Sequence, residues 1–194
     1  MASGLSQTAI FNAVLDRLAE ESLLSPSDEK AVARWLNRNY AFQRDVLLQK
    51  HPWNFAVKRA KLATDTATPL FEWRYQYTLP SDCIRVLPLT TDGLRDSPQI
   101  PFVVEGAKLL TNKAAPLPMR YISRVENEAL FTPIFANVLA QVLSANAAHW
   151  VTGKANFTKM LTDSLPGLIA DAQLLDSLEG LPEQPDDDEI ILVR

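Results

Sequence analysis

Residues 102–111 read Phe102-Val103-Val104-Glu105-Gly106-Ala107-Lys108-Leu109-Leu110-Thr111. Two short runs of β-branched and apolar residues flank Glu105-Gly106-Ala107, and Gly accepts the positive φ that a tight hairpin demands. The stretch therefore predicts two antiparallel strands, at 100–105 and 107–111, and with them a sheet in the middle of the chain. From Trp53 to Val125 the flanking sequence keeps this texture, short β-branched and aromatic runs punctuated by Pro, Gly, Asp and Asn. Further strands are predicted near 54–62, 71–79, 84–89 and 118–123. In the second of these Phe71, Trp73, Tyr75 and Tyr77 alternate with Glu72, Arg74 and Gln76, which predicts one aromatic and one polar face. One small antiparallel sheet is expected.

Outside this tract the period changes from two to 3.6. Ile10, Phe11, Val14, Leu15 and Leu18 fall on one face of a helix for which Ser6 is a suitable N-cap. Ser25-Pro26-Ser27-Asp28 reads as a second start signal, for a helix running to about Gln49 and stopped by Pro52. On the far side, Pro133 opens a helix through Phe135, Val138, Leu139, Val142, Leu143 and Trp150 to Gly153. A last helical stretch covers about Ala155 to Leu178, where Pro166-Gly167 demands a kink or two shorter helices. The order helix-helix, strands, helix-helix predicts an α+β fold. Residues 1–52 and 131–178 form a helical bundle, 53–130 are a β-rich insertion, and 179–194 form an extended tail.

Composition restricts the chemistry. The 194 residues are 47% hydrophobic and 22% charged, ample for one or two cores. One Cys and two His leave nothing for a disulfide framework or a histidine- or thiolate-built metal site. No apolar run approaches the roughly 20 residues of a membrane span, and the opening MASGLSQTAIF lacks the pattern of an export signal. Neither membrane insertion nor export is expected. Gly153-Lys154 is not a phosphate loop, because position 148 is Ala and no apolar strand precedes it. Cys83 and His149 have no activating signature around them, so Cys83 is read as a small semi-buried thiol. Tryptophans 35, 53, 73 and 150 sit at core-like spacings. Asp186-Asp187-Asp188-Glu189 lacks the alternation of a calcium loop.

Charge is unevenly placed. Residues 31–63 carry seven Lys or Arg against Asp45 alone, whereas 179–194 carry six acids against Arg194, within a net charge of -4. A pI near 5.2 argues against a general nucleic-acid binder, whose affinity comes from a basic surface, and leaves only a local basic face for that part. Two features remain. The tail joins an acidic, Pro-containing spacer, with Asp186, Asp187, Asp188 and Glu189, to Ile190, Ile191, Leu192, Val193 and the final Arg194. Its apolar end needs a groove, which sixteen extended residues reach over about 50 Å, on another subunit, another protein or the chain's own sheet. The second feature is the basic band Arg34, Arg38, Arg44, Lys50, Lys58, Arg59 and Lys61. It is read as pairing with acids of a neighbouring subunit, lining a path for DNA, or ordinary solvated charge.

Three runs carry a resemblance: His51-Pro52-Trp53-Asn54-Phe55-Ala56, the segment from Phe71 to Val86, and Tyr121-Ile122-Ser123-Arg124-Val125. Together they resemble the tail tubular protein A family, the head-to-tail adaptors of tailed phages. The likeness takes in the opening helices, the helix after Phe131-Thr132-Pro133 and the acidic tail. It implies a virion protein assembled in the host cytoplasm into a dodecameric ring. The ring would lie beneath the portal, carry the nozzle or tail tube below and pass DNA through its centre. It implies no enzymatic activity and no cofactor, and a C-terminal segment that reaches the portal. Asp186–Arg194 are then the portal-docking residues, while Arg34, Arg38, Arg44, Lys58, Arg59 and Lys61 are candidate subunit-interface charges. A DNA-binding or DNA-packaging accessory protein is the alternative. Pro166-Gly167 departs from the more continuous last helix that the family would have.

Overall fold

A computed structural model describes residues 5–94 and 97–179. The fold is α+β, with helices from both ends of the chain and a β-rich insertion between them. The tail predicted over 179–194 lies outside the described residues from position 180 onward.

α1 (Gln7–Leu18) begins as expected, with Ser6 Oγ accepting the Ala9 N–H at 3.2 Å and Ile10, Phe11, Val14, Leu15 and Leu18 buried. α2 (Ala31–Lys50) starts five residues later than the Ser25-Pro26 signal suggests. The capping groups there are spent on a local turn. Ser25 Oγ accepts the Ser27 N–H, the Asp28 N–H donates to Ser25 O, and Asp28 Oδ2 accepts the Leu24 N–H.

α3 (Pro133–Thr152) is capped by Thr132 and closed by Gly153 at φ +65°, so Gly153-Lys154 is a helix junction. Eleven of its residues are buried, too many for one stripe, which makes it the central helix against which α1, α2 and the last two helices pack. α4 (Ala155–Asp163) and α5 (Leu165–Leu178) replace the single last stretch, with Pro166 in the first turn of α5. At the break, Gln141 of α3 donates to Leu161 O, a carbonyl that a continuous helix would pair internally, and to Ser164 Oγ.

The insertion holds two three-stranded antiparallel sheets rather than one. Its strands are β1 (Val57–Leu62), β2 (Tyr75–Thr78), β3 (Cys83–Val86), β4 (Phe102–Glu105), β5 (Lys108–Thr111) and β6 (Leu117–Ser123). The β4–β5 hairpin turns at Gly106, φ +59°, as read from the sequence. β5 takes β2 and β4 as its neighbours, and β6 takes β1 and β3. The two sheets then bury a common core, Tyr77 and Leu109 from one against Leu117, Met119 and Tyr121 from the other. The opposite face of β6 contributes Ile122 to the larger helical core, which also holds Trp53 and Ala56.

The aromatic strand over 71–79 is shorter than its alternation suggests. Glu72 has φ +68° and the Trp73 N–H bonds Phe71 O at 2.8 Å, a strained γ-turn that breaks the strand before Tyr75. Tyr75 and Tyr77 face the core, but Phe71 is 79% exposed. The core assignment also fails for Trp150, which is 53% exposed and stacks on half-buried Trp35 at 6.5 Å, near the end of α3.

Candidate interaction surfaces

The fold divides the predicted basic band into cations paired with acids of the same chain and cations left open. Arg44 is buried. Its guanidinium lies 2.8 Å from Asp45 Oδ1 and 3.7 Å from Glu126, and Asp45 Oδ2 accepts from Arg124 at 2.8 Å. Lys58 meets Asp82 Oδ2 at 2.7 Å, while Asp82 Oδ1 accepts the Tyr121 hydroxyl at 3.1 Å. These two cations tie elements of one chain together. Arg34 and Arg38 are exposed on α2, with Arg34 donating to the Glu29 carbonyl at 2.9 Å.

The Lys58 ammonium first, and then the Tyr121 hydroxyl, hold the Asp82 carboxyl below its ordinary range. Burial, followed by the bond to Asp82, pushes the Tyr121 hydroxyl up to about 12. A depressed carboxyl stabilises the fold above its unfolded value of about 3.9, and that contribution disappears as pH falls through the folded value. With the Asp82 side chain 32% exposed, solvent limits the effect to about 0.5 kcal/mol. Asp82→Asn is expected to flatten the acid limb of a stability-versus-pH curve below about pH 4. An unchanged limb would show that the pair contributes nothing to acid sensitivity.

Arg59 and Lys61 point the other way. Alternation puts Val57, Arg59 and Lys61 on one face of β1, and the register sets Val57 opposite Ile122 and Arg59 opposite Arg120. Ile122 is in the helical core, so this face passes from beneath the helices into the open one residue pair later. There Arg59 and Arg120 line a cleft of about 700 Å³ with His51, Asn54 and the last turn of α5. Arg120 is absent from the basic band read along the chain, because it lies far away in sequence and only strand pairing brings it beside Arg59.

Asp176 of α5 closes one wall of that cleft and is 4% exposed. Its carboxylate accepts the Asn54 N–H at 3.1 and 3.2 Å and lies 3.1 Å from His51 Nε2, where it can take a ring N–H. Asn54 Nδ2 also donates to the Asp176 carbonyl. The end of the last helix is thereby fixed to the corner between α2 and β1. Asp176→Ala leaves the Asn54 N–H and His51 without their acceptor and should cost about 3 kcal/mol, read by chemical denaturation. A loss below about 0.5 kcal/mol would show that the corner holds without it. On either side of Asp176 the end of the helix carries open apolar residues, with Leu174, Leu175 and Leu178 all more than half exposed. The predicted docking residues Asp186–Arg194 lie outside the described residues.

Cys83 sits half-buried at the start of β3, against the core between the sheets, and burial, with a smaller push from the Asp82 charge, raises its thiol pKa. That is the reverse of an activated thiolate. His149 is exposed on α3, on the other side of the fold's division. Among the described residues no group of three His, Cys, Asp or Glu could hold a metal ion, and no helix is long and apolar enough to cross a membrane. No family model matches this chain, and no curated protein matches it.

Proposed function

We propose that this chain is a head-to-tail adaptor of a tailed phage, a ring-forming virion protein between the portal and the nozzle or tail tube around the DNA channel. The resemblance of residues 51–56, 71–86 and 121–125 supplies the family. The observation that carries the reading furthest is the Asp176 anchor, which fixes the root from which the acidic and apolar C-terminal segment departs. A docking peptide gains from a rigid root, because less freedom is lost when its tip engages. In this reading Ile190, Ile191, Leu192 and Val193 are the apolar anchors on the portal, and Asp186, Asp187, Asp188 and Glu189 steer their approach to basic partner residues. The ring is built from head-to-tail contacts, which place one face of each protomer against a different face of the next. The net charge of -4 keeps a channel wall from gripping passing phosphates.

The test is direct. Particle images of the purified protein mixed with portal rings are expected to show a second annulus on the portal, and portals left bare at saturating protein would end the reading.

The open Arg59–Arg120 pair favours a second reading, a DNA-binding or packaging accessory protein. A gel shift by the isolated protein that collapses steeply with added salt would support it, because phosphate neutralisation releases counterions.

A further inference from the structure

Arg59 and Arg120 are direct partners across β1 and β6, which holds their Cβ atoms about 5 Å apart and puts two guanidiniums on one side of the sheet. Like charges so placed destabilise a sheet unless an anion joins them. Elsewhere the chain supplies one, Asp82 for Lys58 and Asp65 for Lys108. Among the described residues no carboxylate lies within ion-pair distance of Arg59 or Arg120. The described acids that share their clefts, Asp176 and Asp92, are committed to other groups. Asp176 accepts from Asn54 and His51, and Asp92 accepts the Leu94 N–H.

The two arginines are also not isolated. They line both the 700 Å³ cleft and an adjoining one of about 280 Å³, where Lys61 joins them, and Lys61 in turn shares the next cleft with Lys113. Arg59 and Lys61 thus stand about 7 Å apart on one face of β1, with Arg120 beside Arg59 and Lys113 bordering the cleft next to Lys61.

We infer that this track binds an acidic polypeptide segment, and that the segment is residues 179–189 of a second copy of the chain. The inference rests on the ring reading above, and gives the acidic run a partner on the neighbouring protomer while the apolar end goes on to the portal. Residues 179–189 hold six carboxylates and no base. Extended, they span about 35 Å, enough to cover the track. Alternate carboxylates of an extended segment, such as those of Asp186 and Asp188, repeat about every 7 Å, the spacing of Arg59 and Lys61 on one face of β1. The second copy is the occupant because a head-to-tail ring sets one face of each protomer against a different face of the next.

The test uses full-length chains, one batch unlabelled and one heavy-isotope-labelled, mixed at high salt and dialysed to low salt. A zero-length carbodiimide then joins carboxylates to amines. Cross-links from Asp186–Glu189 to Lys61 or Lys113 are expected in mixed-isotope form. In an Arg59→Gln/Arg120→Gln chain their yield should fall about tenfold. The same variant should melt no lower than the parent, since a repulsive pair has gone, which separates a binding role from a structural one. Links of a single isotope, no links to either lysine, an undiminished yield in the variant, or duplex DNA retarded through these arginines in place of the links would each overturn the inference. Portal attachment scores the parent reading separately. A variant that cross-links normally and still joins the portal sinks only this inference, whereas normal cross-linking in a parent chain that never joins the portal sinks only the adaptor.

Discussion

Trp53→Ala is expected to lower the melting temperature by about 10 °C. Trp53 is fully buried where the helical layer meets the sheet, and its ring packs edge-on against Phe135 of α3 at 5.1 Å and beside Phe55 and His51. Its indole N–H donates to Leu47 O at 3.0 Å, one of the last four carbonyls of α2, which have no partner within their own helix. Removing it therefore opens a large cavity and orphans a helix end. Truncations of this kind cost about 3–5 kcal/mol, and in a chain of this size each kcal/mol moves the melting temperature by about 2–4 °C. Trp53→Phe keeps most of the volume and loses the hydrogen bond, for about 1–2 kcal/mol. Calorimetry on both variants checks the argument, and a Trp53→Ala protein melting within about 2 °C of the parent would show that the corner is not where the two layers are joined.

Deleting residues 181–194 should abolish attachment to portal rings while leaving the fold intact. The expectation has two parts with separate physical origins. The deletion begins beyond Asp176, so the anchor to Asn54 and His51 survives and the melting temperature should move by no more than about 2 °C. The lost segment holds the four consecutive apolar residues, and anchors buried at the centre of a contact carry most of its energy. Co-sedimentation with portal rings reads the result. Binding of the truncated chain with undiminished affinity would leave the tail without a docking role. A truncated chain that fails to fold would instead show that residues 181–194 belong to the fold.

Local signals were legible from the sequence. The hairpin at Gly106, the Ser6 cap, the start of α3 at Pro133 and the division at Pro166 all depend on φ preferences and hydrogen bonds within a few residues. Where local signals competed, reading along the chain failed. Ser25 and Asp28 are as good for a turn as for a cap, and the structure uses them for the turn. The alternation of residues 71–77 is that of a strand, yet the chain reverses at Glu72 and presents Phe71 to solvent.

The sequence by itself determined the class of the fold and the order of its layers, because periodicity and turn chemistry are properties of neighbouring residues. Only the tertiary structure decided which strands share a sheet, that Arg120 stands beside Arg59, and that Asp176 holds the end of α5 while Arg44 is buried and Lys58 pairs with Asp82. Those pairings join residues far apart in the chain. Nothing local distinguishes one solvated charge from another until burial removes water from some of them and strand register sets others face to face.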